Sequence, residues 1–231
     1  MPVSDIATPD ILKVLAPIWN AKVETASRVR QRLSNVLEWA RAAGFRSGDN
    51  PVDLIGDALP RQKKSDRHHA ALPYAQVASF IGKLRDGRAA PITKLAFEFL
   101  ILTAVRTTEA RKARWDEVDW HAKTWTIPGN DDATGRRMKK ERDHVVPLSA
   151  RCLELLEQAK GLSKGHELIF PDSDSGRVMF ENRVLVARDR LGYAKDKCTP
   201  HGFRSSFRDG AVEETNFPSE VVEMALAQFD P

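Results

Sequence analysis

Thr199-Pro200-His201-Gly202-Phe203-Arg204-Ser205-Ser206-Phe207-Arg208 carries a helix start and a polar face at once. Thr199 is a favoured N-cap residue and Pro200 suits the first helical position, so a helix is predicted to begin here. His201 and Arg204 stand three residues apart in its first turn and therefore share a face. That face also presents the unpaired N–H groups of the helix start, which attract an oxyanion or a phosphate. A histidine, an arginine and a helix N-terminus aimed at one point compose a phosphate site that needs no metal. The same pattern also describes a solvated first turn, and the rest of the chain must decide between the two.

Upstream, Pro91 to Val105 is a strongly apolar helix, with Leu95-Ala96-Phe97-Glu98-Phe99-Leu100-Ile101-Leu102 marking it as the core helix. It runs into Arg106, followed three residues later by Glu109. An arginine pinned by a nearby carboxylate at a helix junction is pre-organised for bidentate phosphate binding, and equally describes a structural ion pair. Trp125-Thr126-Ile127-Pro128 and His144-Val145-Val146-Pro147-Leu148 read as short strands. Between them the basic stretch from Gly129 to Arg142 predicts a hairpin carrying Arg136, Arg137, Lys139, Lys140 and Arg142. Further helices are predicted from Pro73 through Leu84, and at 150–160, 179–191, 201–212 and 219–227. The pattern is mainly α with one small antiparallel β-sheet.

The amino-terminal part reads as a smaller helical body. Ile11 to Trp19 predicts a short helix bent at Pro17, and Thr25 to Ala43 a longer one with Val29, Leu33, Val36, Leu37 and Ala40 inward. Gly44 suits a left-handed cap. Arg28, Arg32 and the nearby Arg46 fall on the opposite face, with Arg30 at its edge. Such a face is either simply solvated or laid along a DNA backbone. Asn50-Pro51 starts a turn and a brief helix to Leu59. The polar, basic run through Lys63 and Lys64 predicts a linker, which gives domains at 1–59 and 73–231 joined by residues 60–72.

Composition bounds the function. The hydrophobic fraction of 42% suits a globular chain, and no apolar run is long enough to span a bilayer. No secretory signal is visible at Met1-Pro2-Val3-Ser4-Asp5. Cys152 and Cys198 lack ligand spacing and read as reduced thiols of a cytoplasmic protein. The net charge is only +4, but residues 1–72 hold 11 lysines and arginines against 8 acidic residues. This permits a polyanion partner.

The order Arg106…Lys139…His201-Gly202-Phe203-Arg204 resembles the tyrosine recombinase (phage integrase) family, in its prophage and genomic-island branch. Thr103-Ala104-Val105-Arg106-Thr107-Thr108-Glu109 resembles its first arginine segment. Met138-Lys139-Lys140-Glu141-Arg142-Asp143-His144-Val145-Val146-Pro147-Leu148-Ser149 resembles its lysine hairpin. Ala16-Pro17-Ile18-Trp19, Glu24-Thr25-Ala26-Ser27-Arg28-Val29-Arg30 and Asn50-Pro51 resemble its core-binding domain, and His68-His69-Ala70-Ala71-Leu72-Pro73-Tyr74 the entry to its catalytic domain. The resemblance implies a DNA breaking-rejoining catalytic domain preceded by a partial helical core-binding domain. It implies that Arg106 and Arg204 bind the scissile phosphate, with Glu109 orienting Arg106. Lys139 (or, second, Lys140) would be general acid and His201 would assist proton transfer. Arg28, Arg30, Arg32, Lys63, Lys64, Arg136, Arg137 and Lys140 would meet the DNA. The implied partners are a double-stranded attachment site and other integrase protomers, with no cofactor, metal or membrane.

The resemblance also implies a tyrosine nucleophile beyond Ala225-Leu226-Ala227. The chain's only tyrosines are Tyr74 and Tyr193, and Gln228 stands where the family has histidine or tryptophan. The expectation is an integrase shortened at both ends that lacks its nucleophile and is inactive alone. The alternative is a non-catalytic DNA-binding remnant that occupies an attachment site or pairs with an intact integrase. A generic helical DNA-binding regulator is a third possibility, against which the ordered motifs argue.

Overall fold

A computed structural model describes residues 1–60, 70–129 and 142–228. The chain divides into two compact units, Met1–His68 and His69–Pro231.

In the first unit α1 (Thr8–Leu15) is followed by a single 3-10 turn at Ala16–Ile18, then α2 (Val23–Ala42) and the one-turn α3 (Ile55–Ala58). Ile11, Leu15, Trp19, Ala26, Leu37, Val52 and Ile55 form its core. Gly44, at φ +79°, ends α2. The Gly44 N–H donates to the Arg41 carbonyl at 3.1 Å and the Phe45 N–H to that of Ala40 at 2.9 Å. This is the bond pattern that a left-handed glycine permits at a helix end. Asn50 holds the next corner, donating to the Ser34 carbonyl at 3.0 Å and accepting the Val52 N–H at 3.2 Å. Two side chains depart from the expected pattern: Val36 is 58% exposed, and Arg46 reaches back to the carbonyls of Val3 and Ile6, both at 3.4 Å.

The second unit is built around α5 (Pro91–Thr103), whose Ile92, Ala96, Phe97, Phe99, Leu100 and Ile101 are all buried. α4 (Tyr74–Asp86), α6 (Thr107–Arg111), α7 (Ala150–Ser163) and α8 (Glu181–Arg190) pack against it. α9 (Gly202–Glu214) packs on α4, and α10 (Ser219–Ala225) on α9. The sheet has three antiparallel strands, β1 (Val118–Asp119), β2 (Thr124–Ile127) and β3 (His144–Pro147), with β2 central. Trp125 lies opposite Val118 and Val146, and Ile127 opposite His144. The mainly helical chain with one small antiparallel sheet is thus as the pattern predicted. The short elements α6 and β1 are additions.

Aromatic rings lock these layers together. Phe203 lies 4.9 Å from Phe80 and 5.8 Å from Phe97, while Phe99 meets Trp125 at 5.2 Å and Phe170 at 5.3 Å. Edge and tilted contacts of this kind add about 0.5–1.5 kcal/mol each beyond the area they bury. A charged group ties three of these helices together. The side chain of Glu98, on α5, is 2% exposed and accepts hydrogen bonds from Arg85 of α4 at 3.0 and 2.5 Å and from Arg151 of α7 at 2.8 Å. Burial opposes its ionisation, but the two guanidinium groups outweigh that effect and hold the carboxyl below its usual range.

Candidate functional site

The junction after α5 is formed by an unusual residue. Ala104 is left-handed, φ +51°, so the chain turns sharply before Arg106 resumes an extended backbone at the start of α6. A residue with a Cβ in that region is disfavoured and persists only where its surroundings hold it. Here the surroundings include Arg204, whose Nη1 donates to the Ala104 carbonyl at 2.5 Å. Arg106 is pinned in turn by Glu109: its backbone N–H donates to Oε2 at 2.6 Å and its Nη1 to Oε1 at 2.8 Å. The side chain of Glu109 is 2% exposed, whereas that of Arg106 is 27% exposed and so can meet a ligand.

Arg204 projects from the first turn of α9. Thr199 caps that turn, its Oγ1 accepting the Gly202 N–H at 2.9 Å and donating to the Ala70 carbonyl at 3.1 Å. Regular helix begins at Gly202, one turn after Thr199. Gly202 is needed for packing: a Cβ there would stand 2.0 Å from the Ala70 oxygen. Arg204 is buried, and its Nη2 donates to the Leu226 carbonyl at 2.5 Å, just beyond α10. Its Nε is buried with no acceptor among the described residues. Burial first, then the charge of Arg106, pushes its pKa down to about 10. A guanidinium carries five N–H donors, so two carbonyls fix its plane and leave donors to spare.

Arg106 and Glu109 therefore stand close enough to Arg204 to act on its charge. His144, at the head of β3, belongs to the same cluster. Its pKa is below the ordinary histidine range, first because it is buried, with the charges of Arg204 and Arg106 adding to that effect and Glu109 opposing it. His201, immediately ahead of α9, is exposed. Gln228 is exposed beyond α10, its N–H on the Glu223 carbonyl at 2.9 Å. Lys139 lies outside the described residues, as do Lys63, Lys64, Arg136, Arg137 and Lys140. On α2, Arg28 and Arg32 are exposed and Arg28 pairs with Glu24 at 2.9 Å, while Arg30 is half-buried. His144 was legible only as a strand residue, because its partners are distant in sequence.

Neither tyrosine joins the cluster. Tyr74 donates to Glu214 at 2.6 Å, a bond that pushes its pKa up to about 12. Tyr193 packs on Phe80 at 5.0 Å, its hydroxyl 3.4 Å from the Lys83 ammonium. An apolar groove of about 590 Å³, lined by Tyr74, Ile101, Phe207, Phe217 and Val221 among others, holds no cation.

Residues 71–227 match the phage integrase family, and residues 1–57 the phage integrase central domain. The integrase of Enterobacteria phage P4 is 34% identical over 98% of this chain and 54% of its own length. Prophage integrase IntA of Escherichia coli (strain K12) is 33% identical over 99% and 53%. The chain thus spans about half the length of these curated relatives. The fold resembles that of a lambda integrase dimer bound to a COC′ core site, with TM-score 0.71 and 19% identity over 100% of this chain and 84% of that one. It also resembles the Tn1549 transposon integrase in complex with circular intermediate DNA, with TM-score 0.69 and 15% identity over 100% and 80%.

Proposed function

Since the chain belongs to the phage integrase family, we propose that its arginine cluster binds the scissile phosphate of a DNA attachment site in tyrosine-recombinase chemistry. The observation that carries this is an Arg106 held by the buried Glu109 carboxylate, together with a buried Arg204 whose Nε has no acceptor among the described residues. Such a cluster carries surplus positive charge where water cannot screen it, and an anionic phosphate offsets that charge. The partners we propose are duplex DNA and other integrase protomers. They are suggested by the DNA-bound dimer and tetramer of lambda integrase that share this fold.

In the proposed reaction Arg106 and Arg204 hold the non-bridging oxygens and stabilise the charge of the pentacoordinate state. A tyrosine oxygen attacks phosphorus, forming a 3′-phosphotyrosyl bond as the bond to the 5′-oxygen breaks. Lys139 gives its proton to that departing oxygen, and His201 assists proton transfer. Glu109 orients Arg106. Arg28, Arg30, Arg32, Lys63, Lys64, Arg136, Arg137 and Lys140 supply backbone contacts, which set affinity rather than sequence choice. Gln228 takes the place beside the phosphate that histidine or tryptophan has elsewhere in the family.

For the 231-residue chain used alone we propose binding without covalent cleavage. Tyr74 and Tyr193 are engaged with Glu214 and with Phe80 and Lys83, and a nucleophile must be placed against the phosphate to act. A second reading follows for this chain, a DNA-binding protein that occupies a site or pairs with a complete integrase. The test is denaturing electrophoresis of labelled, nicked duplex incubated with the chain, beside a native gel shift. We expect a native shift that Arg106→Ala weakens and no denaturation-resistant band. A covalent band abolished by Tyr193→Phe would overturn the assignment, and a native shift indifferent to Arg106→Ala would remove the phosphate site.

A further inference from the structure

We infer that Arg188 is a positioning residue, which holds the Cys198 carbonyl and so fixes how the start of α9 presents His201 and Arg204. α8 buries Val184, Ala187 and Arg188 together, so the Arg188 side chain leaves the helix on its packed face and is only 5% exposed. A guanidinium taken out of water must find acceptors there. Its Nε and Nη2 donate to the Asp189 carboxylate at 2.9 and 2.5 Å, and its Nη1 to the Cys198 carbonyl at 3.1 Å. Asp189, next to it in sequence, offsets the charge. Cys198 lies ten residues on and stands just ahead of Thr199, the cap of α9.

The peptide between Cys198 and Thr199 is thereby held on both edges. Its carbonyl takes Arg188 of α8, and its N–H donates to the Ala70 carbonyl at 2.9 Å. A trans peptide is planar with C=O and N–H pointing opposite ways, so the two partners hold it in place from opposite sides. The first turn of α9 is built on that peptide. The Gly202 N–H meets the Thr199 carbonyl and Oγ1, each at 2.9 Å, and the Arg204 N–H meets the His201 carbonyl at 3.2 Å. Phe203, against Phe80, and Ser206, donating to the Leu72 carbonyl, seat the body of the helix but do not set where residues 199–201 stand. Cys198 is fully buried, so its carbonyl, deprived of Arg188, must turn toward another donor and carry the start of α9 with it.

This positioning is measurable on the protein without DNA, and only its consequence for binding rests on the phosphate reading. Hydrogen exchange of the Thr199 and Gly202 amides reports the start of α9. The Leu148 amide, bonded to the Lys123 carbonyl at 2.8 Å, reports a distant part of the fold. Arg188→Met keeps an unbranched side chain and removes every donor. We expect it to speed exchange at Thr199 and Gly202 by about fivefold relative to Leu148, the factor set by one ordinary hydrogen bond. If Arg188→Met does not fold, Arg188→Lys is read in its place. It keeps the buried charge, but one ammonium cannot serve Asp189 and Cys198 together, and a relative rise of about twofold is expected at the same amides. Exchange at Thr199 and Gly202 that rises no more than at Leu148 overturns the inference, since a residue that only stabilises the fold would raise all three alike.

Affinity for a labelled duplex is the second arm. Arg188 is too buried to meet DNA itself, yet the same variant should weaken binding, as Arg106→Ala does by direct loss. If exchange responds while Arg106→Ala leaves affinity unchanged, Arg188 positions α9 and the phosphate reading falls. If Arg106→Ala weakens binding and exchange does not respond, the reverse holds. If exchange responds and Arg106→Ala weakens binding but the Arg188 variant does not, the inference fails as an account of the phosphate site.

Discussion

Arg106 and Arg204 have the same charge and different tasks. Arg204 is spent largely on structure, since it joins the Ala104 carbonyl to that of Leu226. Arg204→Lys keeps the charge but cannot reach both oxygens from one ammonium, so a loss of about 2–3 kcal/mol in denaturant unfolding is expected, with DNA binding reduced as well. Arg106→Ala removes the guanidinium partner of the buried Glu109 carboxylate and should cost about 1–3 kcal/mol. Thermal melts of both variants check these values. His144, placed beside both arginines, resists protonation in the fold more than in the unfolded chain. Its contribution is complete above the ordinary histidine range and is lost as pH falls through the depressed folded value. His144→Gln should therefore flatten stability against pH just below about pH 6.5.

At the scale of elements, two tertiary ties do what helix propensity does not. Gly202 brings α9 against the Ala70 backbone, where a Cβ would sit 2.0 Å from oxygen. Gly202→Ala must push these elements apart, and destabilisation above about 3 kcal/mol is expected, read as a lowered urea midpoint. Glu98 ties α5 to α4 and α7 through Arg85 and Arg151. Its carboxyl titrates lower in the fold than in the unfolded chain, so the tie is intact above the unfolded carboxylate pKa and lost as pH falls through the folded value. Glu98→Gln should lower stability at neutral pH and flatten the acid limb of a melting-temperature profile. An unaltered acid limb would mean that another carboxylate governs it.

The whole chain carries a net charge of +4, so its attraction to DNA should be electrostatic and graded by salt. We expect duplex binding in the range of about 10⁻⁴ to 10⁻⁶ M at physiological salt, falling steeply as salt rises, measurable by fluorescence anisotropy. The long elements were legible in the sequence: α5 by its unbroken apolar composition, α2 by its spacing, β2 and β3 by β-branched and aromatic runs. The order Arg106, His201, Arg204 was legible too, because chemistry-bearing residue types at fixed spacing survive without knowledge of the fold. α6 and β1 were not, because five and two residues are too few to carry a period. Val36 and Arg46 misled because amphipathic spacing gives the face of a helix but not how far the neighbouring packing extends over it. The sequence by itself determined which long helices form and which charged residues stand at their ends, since both follow from local sterics and hydrophobic period. Only the tertiary structure decided that Ala104 turns left-handed, that Gly202 must lack a side chain, and that Arg204 joins the Ala104 carbonyl to that of Leu226. Each of those depends on a backbone atom brought close from a distant part of the chain.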